Sequence, residues 1–246
     1  MQHRVAILVF AQSPEKEARR KTIIRGSRRA NSAALRLMLG KTARLVRRTR
    51  LPAFFSADLP ISPGGDFSAQ LNDCLAFLFS RGYTGIICIG NDCPMLSVRD
   101  LHRATAALMA GKPCIGPDRR GGVYLFTLAK KEFEPAFADL PWQTNRLAEG
   151  LNGFFCRQGS EPVRLAERSD VNTAGELIAF LYDRYRRTGW ITRLHNIVQT
   201  VCHSNYVSDN RRIPSLAMVA AILPRRGPPI PLKISGCQAD FGAIAI

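Results

Sequence analysis

The stretch Gly85-Ile86-Ile87-Cys88-Ile89-Gly90-Asn91-Asp92-Cys93-Pro94-Met95-Leu96 decides how this chain is read. A short apolar run between glycines is the pattern of a strand buried on both faces. An acid, Asp92, follows at its carboxyl end, and Pro94 turns the chain. Ser97 is placed to cap a helix from Val98 to Ala110. In open α/β sheets ligands bind just beyond the carboxyl ends of strands. Asp92 is thus placed to coordinate Mg²⁺ or Mn²⁺, which in turn would hold a diphosphate. The plainer reading is that Asp92 ends the strand and bonds the turn backbone.

Working outward, strands alternate with helices. Arg4–Phe10 reads as a buried strand, and Asn31–Arg48 as a helix with Asn31 as its N-cap. Leu51–Ser56 is a short strand, Phe67–Ser80 a helix closed by Gly82. Pro113–Ile115 and Val123–Thr127 are strands flanking Gly121-Gly122. Lys130–Ala138, Asn145–Gly153 and Thr173–Arg187 are predicted helices, and Val163–Ala166 a strand. This rhythm predicts an α/β sandwich on a mixed, mainly parallel sheet, with an antiparallel part near Gly121. It ends near residue 188. Residues 189–246 read as a C-terminal extension, a helix over about Trp190–Cys202 followed by a Pro-rich tail.

The chain has 246 residues, 46% hydrophobic and 22% charged, which suits a globular protein. No apolar run approaches the roughly 18 residues of a membrane helix, and Val5–Phe10 is too short for a secretory core. The seven cysteines are odd in number and contain no CxxC pair, so neither a disulfide framework nor a zinc site is expected. A reducing, cytoplasmic compartment fits. The net charge is +16, and no Asp or Glu occurs between Ala18 and Ala57. That block holds Arg19, Arg20, Lys21, Arg25, Arg28, Arg29, Arg36, Lys41, Arg44, Arg47, Arg48 and Arg50. A solvated helix face, phosphate recognition and nucleic-acid binding are all consistent with it. Nucleic acid is the least favoured, because no aromatic RNP pattern or zinc-finger spacing accompanies the arginines.

Three further constellations carry chemistry. In Gly116-Pro117-Asp118-Arg119-Arg120-Gly121-Gly122-Val123-Tyr124, the paired glycines allow close backbone approach or positive φ, and Arg119 and Arg120 suit phosphate. An ordinary hairpin with solvated arginines explains them equally. In Pro141-Trp142-Gln143-Thr144-Asn145-Arg146-Leu147, Trp142 is either a stacking platform or a core residue, and Thr144 is the expected N-cap. In Ser169-Asp170-Val171-Asn172-Thr173, Asp170 is a candidate second cation ligand or a helix cap.

Together, in this order, these motifs resemble the GT-A-like glycosyltransferase family of radical-SAM/selenodomain-associated transferases, type 1, in the nucleotide-diphospho-sugar transferase superfamily. The resemblance covers about residues 4–187. It rests on Lys21-Thr22, Gly90-Asn91-Asp92-Cys93-Pro94-Met95-Leu96, Gly116–Leu125, Pro141-Trp142-Gln143-Thr144 and Asp170-Val171-Asn172-Thr173. It implies a GT-A fold, Asp92 as the metal- or diphosphate-side acid, and the basic first loop with Lys21 and Arg25 as the phosphate-binding segment. The family's acid before Gly-Gly is here Arg120, its second acid in the closing motif is Asn172, and the Arg after Lys-Thr is Ile23. Lost carboxylates weaken cation binding, and Arg119 and Arg120 are candidates to neutralise phosphates instead.

The resulting expectation is a transferase using a nucleotide-activated sugar and a small-molecule acceptor. Asp92 and Asp170 would hold Mg²⁺ or Mn²⁺. Asp118 and Asp170 are candidate bases, Gly121 and Gly122 line the donor pocket, and Trp142 and Thr144 face the acceptor. A nucleotidyltransferase of the same fold, and an inactive anion-binding descendant, are the alternatives. No pattern in the sequence names the donor, the acceptor or the oligomeric state.

Overall fold

The computed structural model describes residues 4–61, 64–184 and 189–208. The predicted Pro-rich tail lies outside them. Among the described residues the chain runs β1 (Val5–Val9), α1 (Pro14–Arg20), α2 (Arg28–Arg47), β2 (Ala53–Phe55), α3 (Phe67–Ser80), β3 (Gly85–Ile89) and α4 (Val98–Met109). It continues with β4 (Cys114–Pro117), β5 (Val123–Ala129), α5 (Leu147–Arg157), β6 (Val163–Arg164), α6 (Ala174–Arg184) and α7 (Gly189–Ser208).

The strands form one mixed sheet in the order β2-β1-β3-β5-β4-β6. β1 lies between β2 and β3 and is parallel to both, with Ile7 opposite Ala53 and Ile87. β5 alone runs against its neighbours β3 and β4. The mainly parallel sheet with an antiparallel hairpin is thus as expected. Each strand divides its side chains between two layers, as the period of two requires. Val5, Ile7, Val9, Ile87 and Ile89 pack under Leu45 and Val46 of α2 and Leu101, Ala104 and Leu108 of α4. Leu8, Ile86, Cys88 and Phe126 face Leu71, Leu75 and Leu78 of α3 and Leu151, Phe154 and Phe155 of α5. A third cluster joins Leu35 and Met38 of α2 to Leu177 and Leu181 of α6 and Ile191 and Leu194 of α7. The compact unit therefore includes α7 and reaches Ser208.

Local chemistry moved several predicted boundaries. α1 was not foreseen, because it buries no residue and so has no apolar stripe to read. It forms on capping instead: Ser13 accepts from Lys16 N, Pro14 stands at the start, and Arg19 and Arg20 occupy the last turn. α2 starts three residues before Asn31, with Ser27 accepting from Ala30 N, so Asn31 is not its N-cap. Lys130–Ala138 is not one helix but two 3₁₀ turns, Lys130–Glu132 and Pro135–Phe137. Pro135 has no N–H to continue a helix. α5 begins only at Leu147, with Arg146 at the cap position. Thr144 instead donates to Pro141 O at 2.7 Å and accepts from Arg146 N, next to Gln143 at φ 60°. The cap predicted for Thr144 is therefore corrected. Buried free thiols are found at Cys74, Cys88, Cys93 and Cys114. No helix among the described residues is long and apolar enough to cross a membrane.

Candidate functional site

The parallel pair β1 and β3 ends side by side, joined by Phe10 N donating to Ile89 O at 2.9 Å. Three loops converge there. The first carries Lys21 away from α1. The second is Gly90–Ser97, and the third is the Asp170–Thr173 segment before α6, whose Val171 N donates to Asp92 O at 2.8 Å.

Lys21 reaches across the strand ends and forms a close ion pair with Asp92 Oδ1. It lies 3.7 Å from Glu17 Oε1, one turn earlier in α1. The Lys21 side chain is largely buried, whereas that of Asp92 is 35% exposed, so the pair opens to solvent on the Asp92 side. Asn31 holds this loop in place. Its Oδ1 accepts from Ile23 N and Ile24 N, and its Nδ2 donates to Lys21 O at 2.7 Å. A buried Asn on a mostly apolar helix face thus fixes the backbone that presents Lys21.

Asp170 sits beside Asp92. Burial pushes its carboxyl up to about 7, the charges of Asp92 and Asp118 add to this, and Lys21 and Cys93 pull the other way. Its Oδ1 is buried and has no hydrogen-bond partner among the described residues. Glu17 is also pushed up to about 7, first by burial and then by Asp92, against the pull of Lys21. One lysine thus faces several carboxyl groups, an arrangement that holds protons near neutrality and accepts further positive charge.

The loop behind Asp92 is braced from below. Ser97 and Asp100 cap α4 reciprocally, and one Arg168 nitrogen donates to both Asp100 oxygens at 3.1 and 3.0 Å. Lys41 Nζ donates to Leu96 O at 2.6 Å, and burial lowers its pKa to about 8.

The hairpin between β4 and β5 is different. Asp118 Oδ1 accepts from Arg120 N at 2.6 Å and Gly122 N at 2.9 Å, so that oxygen is committed to the turn. Arg120 is ion-paired with Glu176 Oε1 at 2.8 Å, and Arg119 lies 3.8 Å from Glu167. The paired glycines answer to their neighbours. A Cβ on Gly121 (φ 85°) would lie 1.9 Å from Asn145 O, and one on Gly122 would lie 2.5 Å from Asp118 Oδ2. Behind the hairpin, Gly121, Asn145, Glu149, Arg164 and Glu167 line an open cavity of about 420 Å³. Trp142 packs its ring against Phe67, Phe126 and Phe137 and donates from Nε1 to Phe137 O. Arg25 is exposed on the loop after Lys21.

The structure therefore gathers Lys21, Asp92 and Asp170, with Asp118 close enough to act on Asp170 through its charge. It ties Arg119 and Arg120 to glutamates and packs Trp142 among aromatics. Sequence reasoning missed Glu17 and Asn31. Glu17 was findable as the i−4 neighbour of Lys21 on a helix. Nothing in the sequence marked Asn31 as the anchor of the Lys21 loop.

The strand order and the two helical layers give the chain an α/β fold like that of a solved nucleotide-diphospho-sugar transferase-like protein. A protein of Desulfovibrio desulfuricans G20, assigned as a nucleotide-diphospho-sugar transferase, aligns over 81% of this chain and 99% of its own, at 20% identity and a TM-score of 0.68. That likeness is one of fold, and it bears out the fold that the motifs implied. Residues 25–144 match the model of a family described as an uncharacterized protein conserved in bacteria (DUF2064). A cytidylyltransferase from Leptospira borgpetersenii serovar Hardjo-bovis (strain JB197) also aligns, covering 87% of this chain and 100% of its own at 9% identity and a TM-score of 0.41. So does Rv0371c of Mycobacterium tuberculosis H37Rv in complex with manganese, covering 76% and 98% at 16% identity and a TM-score of 0.41. Both likenesses are too slight to bear on the site. None of the curated proteins compared matches the sequence.

Proposed function

We propose that the protein is a transferase acting on a nucleotide-linked donor, a nucleotide-activated sugar in the first instance. The observation that carries this reading is the Lys21–Asp92 ion pair at the ends of β1 and β3, beside an Asp170 oxygen with no partner. In the free protein Lys21 and Asp92 neutralise each other. An incoming phosphate offers Lys21 a second acceptor and releases Asp92 for positive charge. Arg25, on the same loop, adds to the field that draws the diphosphate in.

The oxygens of Asp92 and Asp170 fit a hard divalent cation, Mg²⁺ or Mn²⁺. Among the described residues no group of three or more His, Cys, Asp or Glu side chains is placed to hold a metal. Two carboxylates still suffice, since Mg²⁺ is commonly held by one or two carboxylates plus the substrate's phosphates. Such a cation would neutralise the leaving diphosphate. Where Asp92 and the donor phosphates hold the cation without it, Asp170, its carboxyl pushed up to about 7, is a better proton acceptor for an acceptor hydroxyl than Asp118, whose Oδ1 is bound to the turn. Trp142 and Thr144 remain on the acceptor side of this reading, and Gly121 and Gly122 shape the wall between hairpin and α5. The second reading within the fold is nucleotidyl transfer. The same Lys21 and acids would serve it, with pyrophosphate leaving in place of a nucleoside diphosphate.

The test is a thermal-shift titration with UDP-, GDP-, CDP- and ADP-sugars and the four NTPs, each with and without Mn²⁺. The expected result is a Mn²⁺-dependent rise with one donor that is lost in Asp92→Asn. A rise only with an NTP selects nucleotidyl transfer. No response to any nucleotide, beside salt-sensitive binding to polyanions, would leave the +16 surface as an anion-binding face and sink the transferase reading.

A further inference from the structure

The helices over one face of the sheet expose charge of a single sign. α2 and α4 share the cluster of Leu45, Val46, Leu101, Ala104 and Leu108, and Lys41 Nζ ties α2 to Leu96 O just before α4. α2 contains no Asp or Glu, nor does α7, which packs on it through Ile191 and Leu194. The one acid of α4, Asp100, is buried and held by Arg168. At about 3.6 residues per turn, Arg29, Arg36, Arg44 and Arg47 fall within an arc of about 80° on α2, away from the buried Leu35, Met38 and Leu45. All four are exposed, as are Arg99 and Arg103 of α4. Only small residues, Ala33, Gly40 and Ala43, share the α2 arc with them, and a Cβ on Gly40 would stand 3.9 Å from Arg44 Nη1. Of these arginines only Arg36 has an ion-pair partner among the described residues, the exposed Glu15 of α1. The layer of α3 and α5 across the sheet is mixed in sign, with Asp73 and Glu149 exposed.

We propose that this face of α2 and α4 binds the phosphate backbone of a nucleic-acid duplex without reading its sequence. From Arg29 to Arg47 the helix runs about 27 Å. A duplex carries one charge per roughly 1.7 Å of axis, hence about 16 phosphates over that length, of which about half face one side. That number is of the same order as the arginines presented. Every basic residue in the set is arginine, whose planar fork matches phosphate in a bidentate way. Backbone contacts fix a protein on a duplex and carry no sequence information, so no recognition motif is required. A single strand would call for aromatic side chains on which its bases stack, and a bilayer for apolar side chains that enter its interface. The exposed large hydrophobic residues among those described are Met109, at the end of α4, and Tyr182 of α6, so the face itself offers neither.

The test sets a variant carrying Arg29→Gln, Arg44→Gln, Arg47→Gln and Arg103→Gln against a charge-matched one carrying Arg81→Gln, Lys131→Gln, Arg146→Gln and Arg157→Gln, exposed positions outside this face. Fluorescence anisotropy follows a labelled duplex of about 20 base pairs between about 50 and 200 mM salt. The wild type should bind two unrelated duplex sequences equally, and more tightly than a single strand of the same length or phosphatidylserine vesicles. The first variant should bind at least about tenfold more weakly, with the slope of log affinity against log salt smaller by about 3 to 4. The matched variant should change both much less. If the first variant melts several degrees below wild type, the pair Arg44→Gln, Arg103→Gln is read in its place, with about half that change in slope. An equal loss in the matched variant would assign the binding to net charge and overturn the proposal. So would wild-type affinity in the first variant, or tighter binding of single strand or vesicles than of duplex. The substitutions leave Lys21, Asp92 and Asp170 in place, so either result leaves the transferase reading standing.

Discussion

The loop after β3 and the hairpin between β4 and β5 are built from similar residues, with glycines, an acid and polar neighbours, yet they use them in opposite ways. The hairpin directs its polar groups inward. Asp118 serves the backbone of Arg120 and Gly122, Arg120 meets Glu176, and both glycines make room for neighbouring atoms. The loop after β3 leaves Asn91 and the adjoining Asp170 Oδ1 unpaired, and its acid Asp92 shares a cation with Glu17. A polar residue whose partners are internal holds a fold together. One whose partners are missing leaves hydrogen-bonding capacity that a water, an ion or a ligand can take up. The difference ranks two motifs that look equivalent in the sequence.

The largest effect is expected in the hairpin, on stability. Gly121→Ala places a Cβ against Asn145 O at a positive φ, and should cost on the order of 3 kcal/mol or more. A chain of this size should then melt roughly 6–12 °C lower. A melting temperature within 2 °C or so of wild type would mean that the hairpin does not pack on α5 in this way.

Asn31→Ala tests the other region. It removes three hydrogen bonds and strands the buried N–H groups of Ile23 and Ile24, a loss of about 2–3 kcal/mol by chemical denaturation. Because the same bonds present Lys21, donor affinity by calorimetry should fall about tenfold as well. An affinity that stays put as stability drops would separate Asn31 from the site.

Lys41 supports the loop through Leu96 O, and its contribution depends on pH. Its pKa is lowered from the ordinary lysine value to about 8, so between about 8 and 10.5 the unfolded chain binds the extra proton. Stability from this group therefore rises with pH across that window. The buried cysteines and Tyr124, all raised by burial, act in the opposite direction over much of the same range. Lys41→Met should accordingly lose stability more steeply than wild type from pH 8 to 10. Parallel curves would show that Lys41 is solvated.

The smallest effect is expected for Arg120→Gln. An exposed ion pair contributes less than about 1 kcal/mol, and donor affinity should change less than about twofold. A tenfold loss would restore Arg120 to the phosphate-binding role that its place in the motif suggested, and would erase the contrast between the two regions.

Much of the fold was legible in the chain. β3 and α3 have the ends that their apolar patterns predict, Gly85–Ile89 and Phe67–Ser80. α4 starts where Ser97 said it would. These elements bury a face, and burial writes itself as periodicity. Elements held by capping or interrupted by proline left weaker marks: α1, the first turn of α2, and the two turns that replace a helix at Lys130–Ala138. The site followed the same division. Asp92 and Asp170 were found from their places between a strand and a helix, and Lys21 from motif resemblance.

By itself, then, the sequence determined an α/β sandwich, the antiparallel hairpin at Gly121-Gly122 and the position of an acid at the end of β3. These depend on hydrophobic spacing and turn chemistry, which are local. Only the tertiary structure decided which charges meet. It set Lys21 on Asp92 across 71 positions of chain and Arg120 on Glu176, and left the Asn91 amide without a partner among the described residues. Pairing of that kind depends on which loops the sheet order brings together, and on how much water the packed layers exclude, neither of which any stretch of the chain carries alone.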